Sequence, residues 1–133
     1  MSKNIIVSNR LPVQAESKDG EWFFTPTSGG LATGLRSFHS EGKSLWIGWP
    51  GISSDSLDKK SKRQINEDLL DKQFCPVFLN EKELDDFYFG FSNKCLWPLF
   101  HYFIEIHKFD LIQWQSYIEV NQKFADEVLK VVK

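Results

Sequence analysis

Three short segments of this 133-residue sequence carry side chains whose chemistry and spacing suit an anion or a sugar. Ser8-Asn9-Arg10 follows the run Asn4-Ile5-Ile6-Val7, at the carboxyl end of an expected strand. In open α/β sheets ligands bind at that edge, and an arginine there can grip a phosphate through two parallel hydrogen bonds. A surface arginine paired with a nearby acid would leave the same sequence. Ser28-Gly29-Gly30-Leu31 opens an expected helix, where free backbone N–H groups and the helix dipole favour an anion beside Gly29 and Gly30. A plain tight turn is the alternative. The segment is neither a complete dinucleotide fingerprint nor a P-loop.

The aromatic residues form the third group. Trp46 and Trp49 are three apart on an expected strand, so they point to opposite faces. Trp46 is assigned to the core, and Trp49, just before Pro50-Gly51, to stacking on a sugar face. Tyr88 and Trp97 belong to a ring-rich, glycine-interrupted stretch that exceeds what one core helix needs, although rings at helical spacing also serve cores. The adjacent Asp85-Asp86 reads as a solvated face, because neighbouring helix positions do not converge on one point. His39, His101 and His107 lack metal-ligand spacing, and Cys75 and Cys95 are too few for a zinc site or a disulfide framework. Spacing alone assembles no nucleophile–base pair.

The elements that would position these residues alternate between strand and helix. Asn4 to Ser8 has no polar alternation and reads as a strand buried on both faces. Val13-Gln14 and Glu21 to Thr25 flank Ser17-Lys18-Asp19-Gly20, a hairpin signal. A helix capped by Ser28 runs to about Glu41-Gly42. Ser44 to Trp49 is a strand, and one helix is expected within the polar stretch near Lys60 to Leu70. Phe74 to Leu79 is a strand at a sheet edge, because it contains Pro76. Asn80 caps a helix through Phe87, Trp97-Pro98 breaks the following stretch, and Leu99 to Ile106 resumes it. Trp114, Tyr117, Ile118, Asn121, Phe124, Ala125, Val128, Leu129 and Val132 repeat at three and four, as in an amphipathic helix. This order predicts an α/β fold: a Rossmann-like open, mainly parallel sheet with an early β-hairpin.

Composition narrows the function classes. The chain is 41% apolar and 26% charged, which suits a folded domain, and its net charge of −2 is too balanced for a polybasic nucleic-acid or membrane surface. No signal peptide or membrane span is visible, so the expected location is cytoplasmic.

Together the motifs resemble the trehalose-6-phosphate synthase family. Val7 to Val13, Ser28 to Leu31, Trp46 to Gly51, Phe91 to Tyr102 and Tyr117 to Asp126 occur in the family's order and cover nearly the whole chain. The resemblance implies a retaining glycosyltransferase of two Rossmann-like domains (GT-B) that transfers glucose from UDP-glucose to glucose 6-phosphate with no metal or other cofactor. It further implies that Arg10, Trp49, Tyr88 and Trp97 contact glucose 6-phosphate, and that Gly29 and Gly30 lie against the diphosphate of UDP-glucose. The family pattern goes on to a Trp-Ile-His-Asp-Tyr-His segment, a later histidine, an Arg/Lys pair and a second domain, none of which is in this sequence. Residues 1–133 are therefore expected to form an incomplete N-terminal, acceptor-side domain with no catalytic residue of its own and no activity alone. An unfilled strand slot would then favour self-association through the sheet edge. A non-catalytic sugar-phosphate-binding module is the alternative function.

Overall fold

The computed structural model describes residues 4–42, 44–102 and 109–132. Its centre is β4 (Ser44–Trp49), whose alternating side chains feed two cores. Ile47 packs with Cys75, Leu79, Phe87, Val120 and Phe124 on one face. Trp46 packs with Leu11, Ile65, Leu69 and Phe74 on the other. β1 (Asn4–Arg10) and β5 (Phe74–Pro76) flank β4, both parallel to it, in the order β1-β4-β5. Pro76 thus sits on an edge strand, as its missing N–H requires.

The hairpin of β2 (Val13–Lys18) and β3 (Glu21–Pro26) forms a separate antiparallel ladder. Asp19 and Gly20 both have positive φ (54° and 80°), the geometry of a tight two-residue hairpin turn. The hairpin is tied to the end of β4 by Leu11 N–H to Trp49 O (2.8 Å) and Ala15 N–H to Pro50 O (2.9 Å).

Helices cover both faces. α1 (Gly30–Ser40) and α2 (Lys59–Leu70) follow β1–β3 and β4, and α2 buries Ile65 and Leu69 one turn apart. Its N-cap is Asp58, which accepts from Ser61 N–H at 2.7 Å. Asn80 and Glu83 form a reciprocal capping box at the start of α3 (Glu81–Glu83). α3 runs into a π-helical segment over Leu84–Leu96 and then α4 (Trp97–Phe100). α5 (Leu111–Val131), capped by Asp110, lies across the π-helical segment and buries Ser116, Val120 and Phe124.

Five expectations change. β1 has no buried residue and Val7 is 49% exposed, because among the described residues only β4 pairs with it. Apolar residue types reported a strand, but not how many neighbours it has. The N-cap of α1 is Gly29, without a side-chain cap, rather than Ser28. Trp97-Pro98 does not break the helix: Trp97 N–H closes the last π-type bond to Ser92 O, and Pro98 falls in the first turn of α4, where no N–H is required. The third strand ends at Pro76, well before Leu79. The helix expected over Leu99 to Ile106 ends at Phe100, with Tyr102 at a positive φ of 63°, and residues 103–106 and His107 lie outside the described residues.

Candidate functional site: a cleft at the carboxyl end of β1 and β4

The site begins with an irregularity in β1. Val7 is opposite Ile47 and Arg10 opposite Trp49, so β1 holds one residue more than β4 over this span. Such a bulge bends the strand and re-aims the side chains beyond it. Gly48 permits it, since a Cβ there would lie 2.9 Å from both Leu11 N and Ser8 O. Ser8 secures the bulge from within: its Oγ accepts from the buried Trp46 indole N–H at 2.8 Å and donates to Arg10 O at 2.7 Å.

Arg10 emerges from the bulge between two adjoining cavities of about 560 Å³ and 320 Å³, which share Asn9, Arg10, Phe87 and Tyr88 in their walls. Its guanidinium carbon stands 5.7 Å from the centroid of the Trp49 ring, within cation–π range. That ring is itself held, since Trp49 Nε1 donates to Ile52 O at 2.9 Å. Arg10 Nη2 donates to Gln14 Oε1. Among the described residues Arg10 has no ion pair.

The larger cavity reaches the start of α1. Gly29, Gly30, Leu31 and Ala32 line it, and α1 carries neither a side-chain cap nor an acidic residue in its first turn. The positive end of the helix is therefore uncompensated locally. A Cβ at Gly29 or Gly30 would meet nothing within 4 Å. Packing thus leaves room at both positions: a side chain at Gly30 would only occupy the cleft, whereas at Gly29 the φ of 159° strains any L side chain whatever the space. Among the described residues no Asp or Glu lines either cavity, so one guanidinium and one helix terminus set the local potential positive.

Five of the six residues singled out in the sequence meet here: Arg10, Gly29, Gly30, Trp49 and Tyr88. Trp97 does not line either cavity; it is 54% exposed and stacked on His101 with ring centroids 3.9 Å apart. Trp46 is core, at 1% exposure. Sequence reasoning missed Gln14, Phe87 and Asn121. Asn121 did carry a signal, being a polar residue inside the apolar stripe of α5, and it lines the larger cavity. Gln14 carried none, as one amide on a hairpin strand looks like any solvent-facing residue.

Comparison with known proteins places this chain in a family. The model of glycosyltransferase family 20 matches residues 2–133. A UDP-forming alpha,alpha-trehalose-phosphate synthase of Yarrowia lipolytica is 38% identical over 135 residues, covering 100% of this chain and 28% of that protein. A UDP-forming alpha,alpha-trehalose-phosphate synthase from Burkholderia xenovorans, in complex with glucose-6-phosphate, is 27% identical with a TM-score of 0.68, over 99% of this chain and 26% of that one. A structure from E. coli bound with UDP-2-fluoro glucose is 29% identical with a TM-score of 0.67, over 99% of this chain and 26% of that one. This chain spans about a quarter of the length of such relatives. With the family model matching it almost end to end, the chain belongs to glycosyltransferase family 20.

Proposed function

We infer that the chain supplies the acceptor-side part of a trehalose-phosphate synthase, which moves glucose from UDP-glucose to glucose 6-phosphate and releases UDP. In that transfer the bond from the glucose anomeric carbon to the diphosphate oxygen breaks, a bond to the acceptor hydroxyl forms, and the acceptor's proton is lost. The observation that carries the reading is an arginine without an acidic partner among the described residues, held over an indole ring, in a cleft free of carboxylates among those residues and open to an uncapped helix start. A sugar phosphate needs just such a combination: a fork of donors for the phosphate and flat aromatic walls for the sugar.

In this reading Arg10 takes the phosphate of glucose 6-phosphate, with Trp49 and Tyr88 against the sugar. The backbone N–H groups after Gly29 and Gly30 face the diphosphate of UDP-glucose. Trp97, apart from the cluster, would contact the acceptor from outside the two cavities. The reading calls for no metal or other cofactor from this chain, which would contribute the N-terminal, acceptor-side domain. Positioned charge drives such a transfer, and a quarter-length chain supplies only part of it. A non-catalytic sugar-phosphate-binding module would use the same cleft, but the relatives' names favour the synthase.

The same reading puts the protein in the cytoplasm, where free thiols such as Cys75 and Cys95 persist. Among the described residues no helix is long and apolar enough to cross a membrane. Among the described residues β1 pairs only with β4, and its other edge would pair with a second copy of the chain, which sedimentation would detect as a dimer; a monomer at high concentration would contradict it.

Amide NMR with each substrate added separately tests the assignment. Glucose 6-phosphate should move signals at Arg10, Trp49 and Tyr88, and UDP-glucose those from Gly29 to Ala32. A well-dispersed spectrum unchanged by both would overturn it.

A further inference from the structure

Arg10 is exposed at the mouth of the cleft, yet it does not hang free, and the group that holds it is Gln14. The orientation of the Gln14 amide follows from its partners. At one end lies Gly51 O, a carbonyl that can only accept, so the amide nitrogen must face it, at 2.6 Å. The amide oxygen is then left to accept from Arg10 Nη2. Gly51 is left-handed, with φ of 86°, and a Cβ there would come within 2.8 Å of Gln14 Cδ. Only glycine lets this turn present its carbonyl to the amide without displacing it. Two bonds from the one turn therefore shape the site: Gly51 O orients Gln14, and Ile52 O orients the Trp49 ring beneath the guanidinium.

Building on the assignment of Arg10 to a sugar phosphate, we propose that Gln14 is a positioning residue, which holds the guanidinium over Trp49 with its remaining N–H groups turned to the ligand's phosphate. Both ends of the Gln14 amide are engaged by protein, so its role in this proposal is exerted through Arg10. Without it the guanidinium would have to be ordered at the moment of binding, and affinity would fall by that amount.

Two measurements on the 133-residue chain test this. The first needs no ligand: nitrogen NMR of the Arg10 guanidinium, its signal identified by its loss in Arg10→Lys. Rotation about the Cζ–Nη bonds should be slow in the wild type and fast in Gln14→Met, which keeps the side-chain length and removes the amide. Equal rotation in both proteins overturns the proposal. The second is affinity for glucose 6-phosphate, compared with glucose. Gln14→Met should weaken glucose 6-phosphate about tenfold and leave glucose unchanged, a loss of about one factor of ten in Kd. Gln14→Glu should keep slow rotation yet also weaken glucose 6-phosphate, because its carboxylate competes with the phosphate for the guanidinium. A residue that merely braced the Gly51 turn would alter stability and spare the preference for the phosphorylated sugar, and unchanged affinity in both variants overturns the proposal. If the wild type binds no glucose 6-phosphate, the assignment of the cleft fails, while the rotation measurement still decides the role of Gln14.

Discussion

The buried indole of Trp46 donates its N–H to Ser8 Oγ at 2.8 Å, and that hydroxyl in turn donates to the carbonyl of Arg10 at 2.7 Å. A core side chain thus fixes the backbone from which the cleft's one guanidinium projects. Ser8→Ala would leave the Trp46 N–H buried without a partner, at a cost of about 1–3 kcal/mol. Urea denaturation should show this loss, and the Arg10 amide should exchange faster than in the wild type.

Gly48 should tolerate no side chain. An added Cβ would meet backbone atoms of Ser8 and Leu11 at 2.9 Å, and backbone cannot turn aside as a flexible side chain can. Gly48→Ala should therefore lower stability by roughly 1–3 kcal/mol through overpacking. A thermal melt should report it as a clear drop in Tm, whereas Gly30→Ala, with open space around the new methyl, should melt near the wild type.

Much of this arrangement was legible in the sequence, for identifiable reasons. Asp19-Gly20 permits the positive φ values that a tight hairpin needs, and Asn80 with Glu83 spells a capping box. The three-residue spacing of Trp46 and Trp49 separated core ring from cleft ring, because strand side chains alternate. The rest depended on partners distant in the chain. A bulge at Ser8-Asn9 shows only in the register with β4. The π-helical pitch of Leu84–Leu96 leaves apolar residues at spacings of three and four, as an ordinary helix would, so Pro98 looked like a break. Gln14 acquires meaning only beside Gly51, thirty-seven residues away.

The start of α2 should weaken in acid. The backbone N–H of Ser61, followed by its hydroxyl, holds the Asp58 carboxyl below the ordinary aspartate value. A carboxyl lowered in the folded state stabilises it above the unfolded pKa, about 3.9, and that contribution is lost as pH falls through the folded value. Hydrogen-exchange protection at Ser61, taken relative to the intrinsic rate at each pH, should fall on acidification below about pH 4. In Asp58→Asn, which can still cap but carries no charge, this acid-dependent step should vanish.

Cys75 should be inert while the chain is folded. Burial, reinforced by Glu127, pushes its thiol above the ordinary cysteine value, so the reactive thiolate is scarcer at neutral pH than in a free thiol. Iodoacetamide should leave Cys75 unmodified in native buffer and label it once urea unfolds the core. Rapid labelling in native buffer would mean that the core formed by Ile47, Val77 and Val120 opens readily.

Calorimetric titration of the chain with glucose 6-phosphate and with glucose, in the wild type and in Arg10→Met, tests the central claim most directly. The cleft described here predicts that the wild type binds glucose 6-phosphate more tightly than glucose, and that Arg10→Met erases the difference while leaving whatever affinity the aromatic walls give to glucose. Equal affinity for the two sugars in the wild type, or a preference for the phosphorylated sugar that survives Arg10→Met, would contradict it.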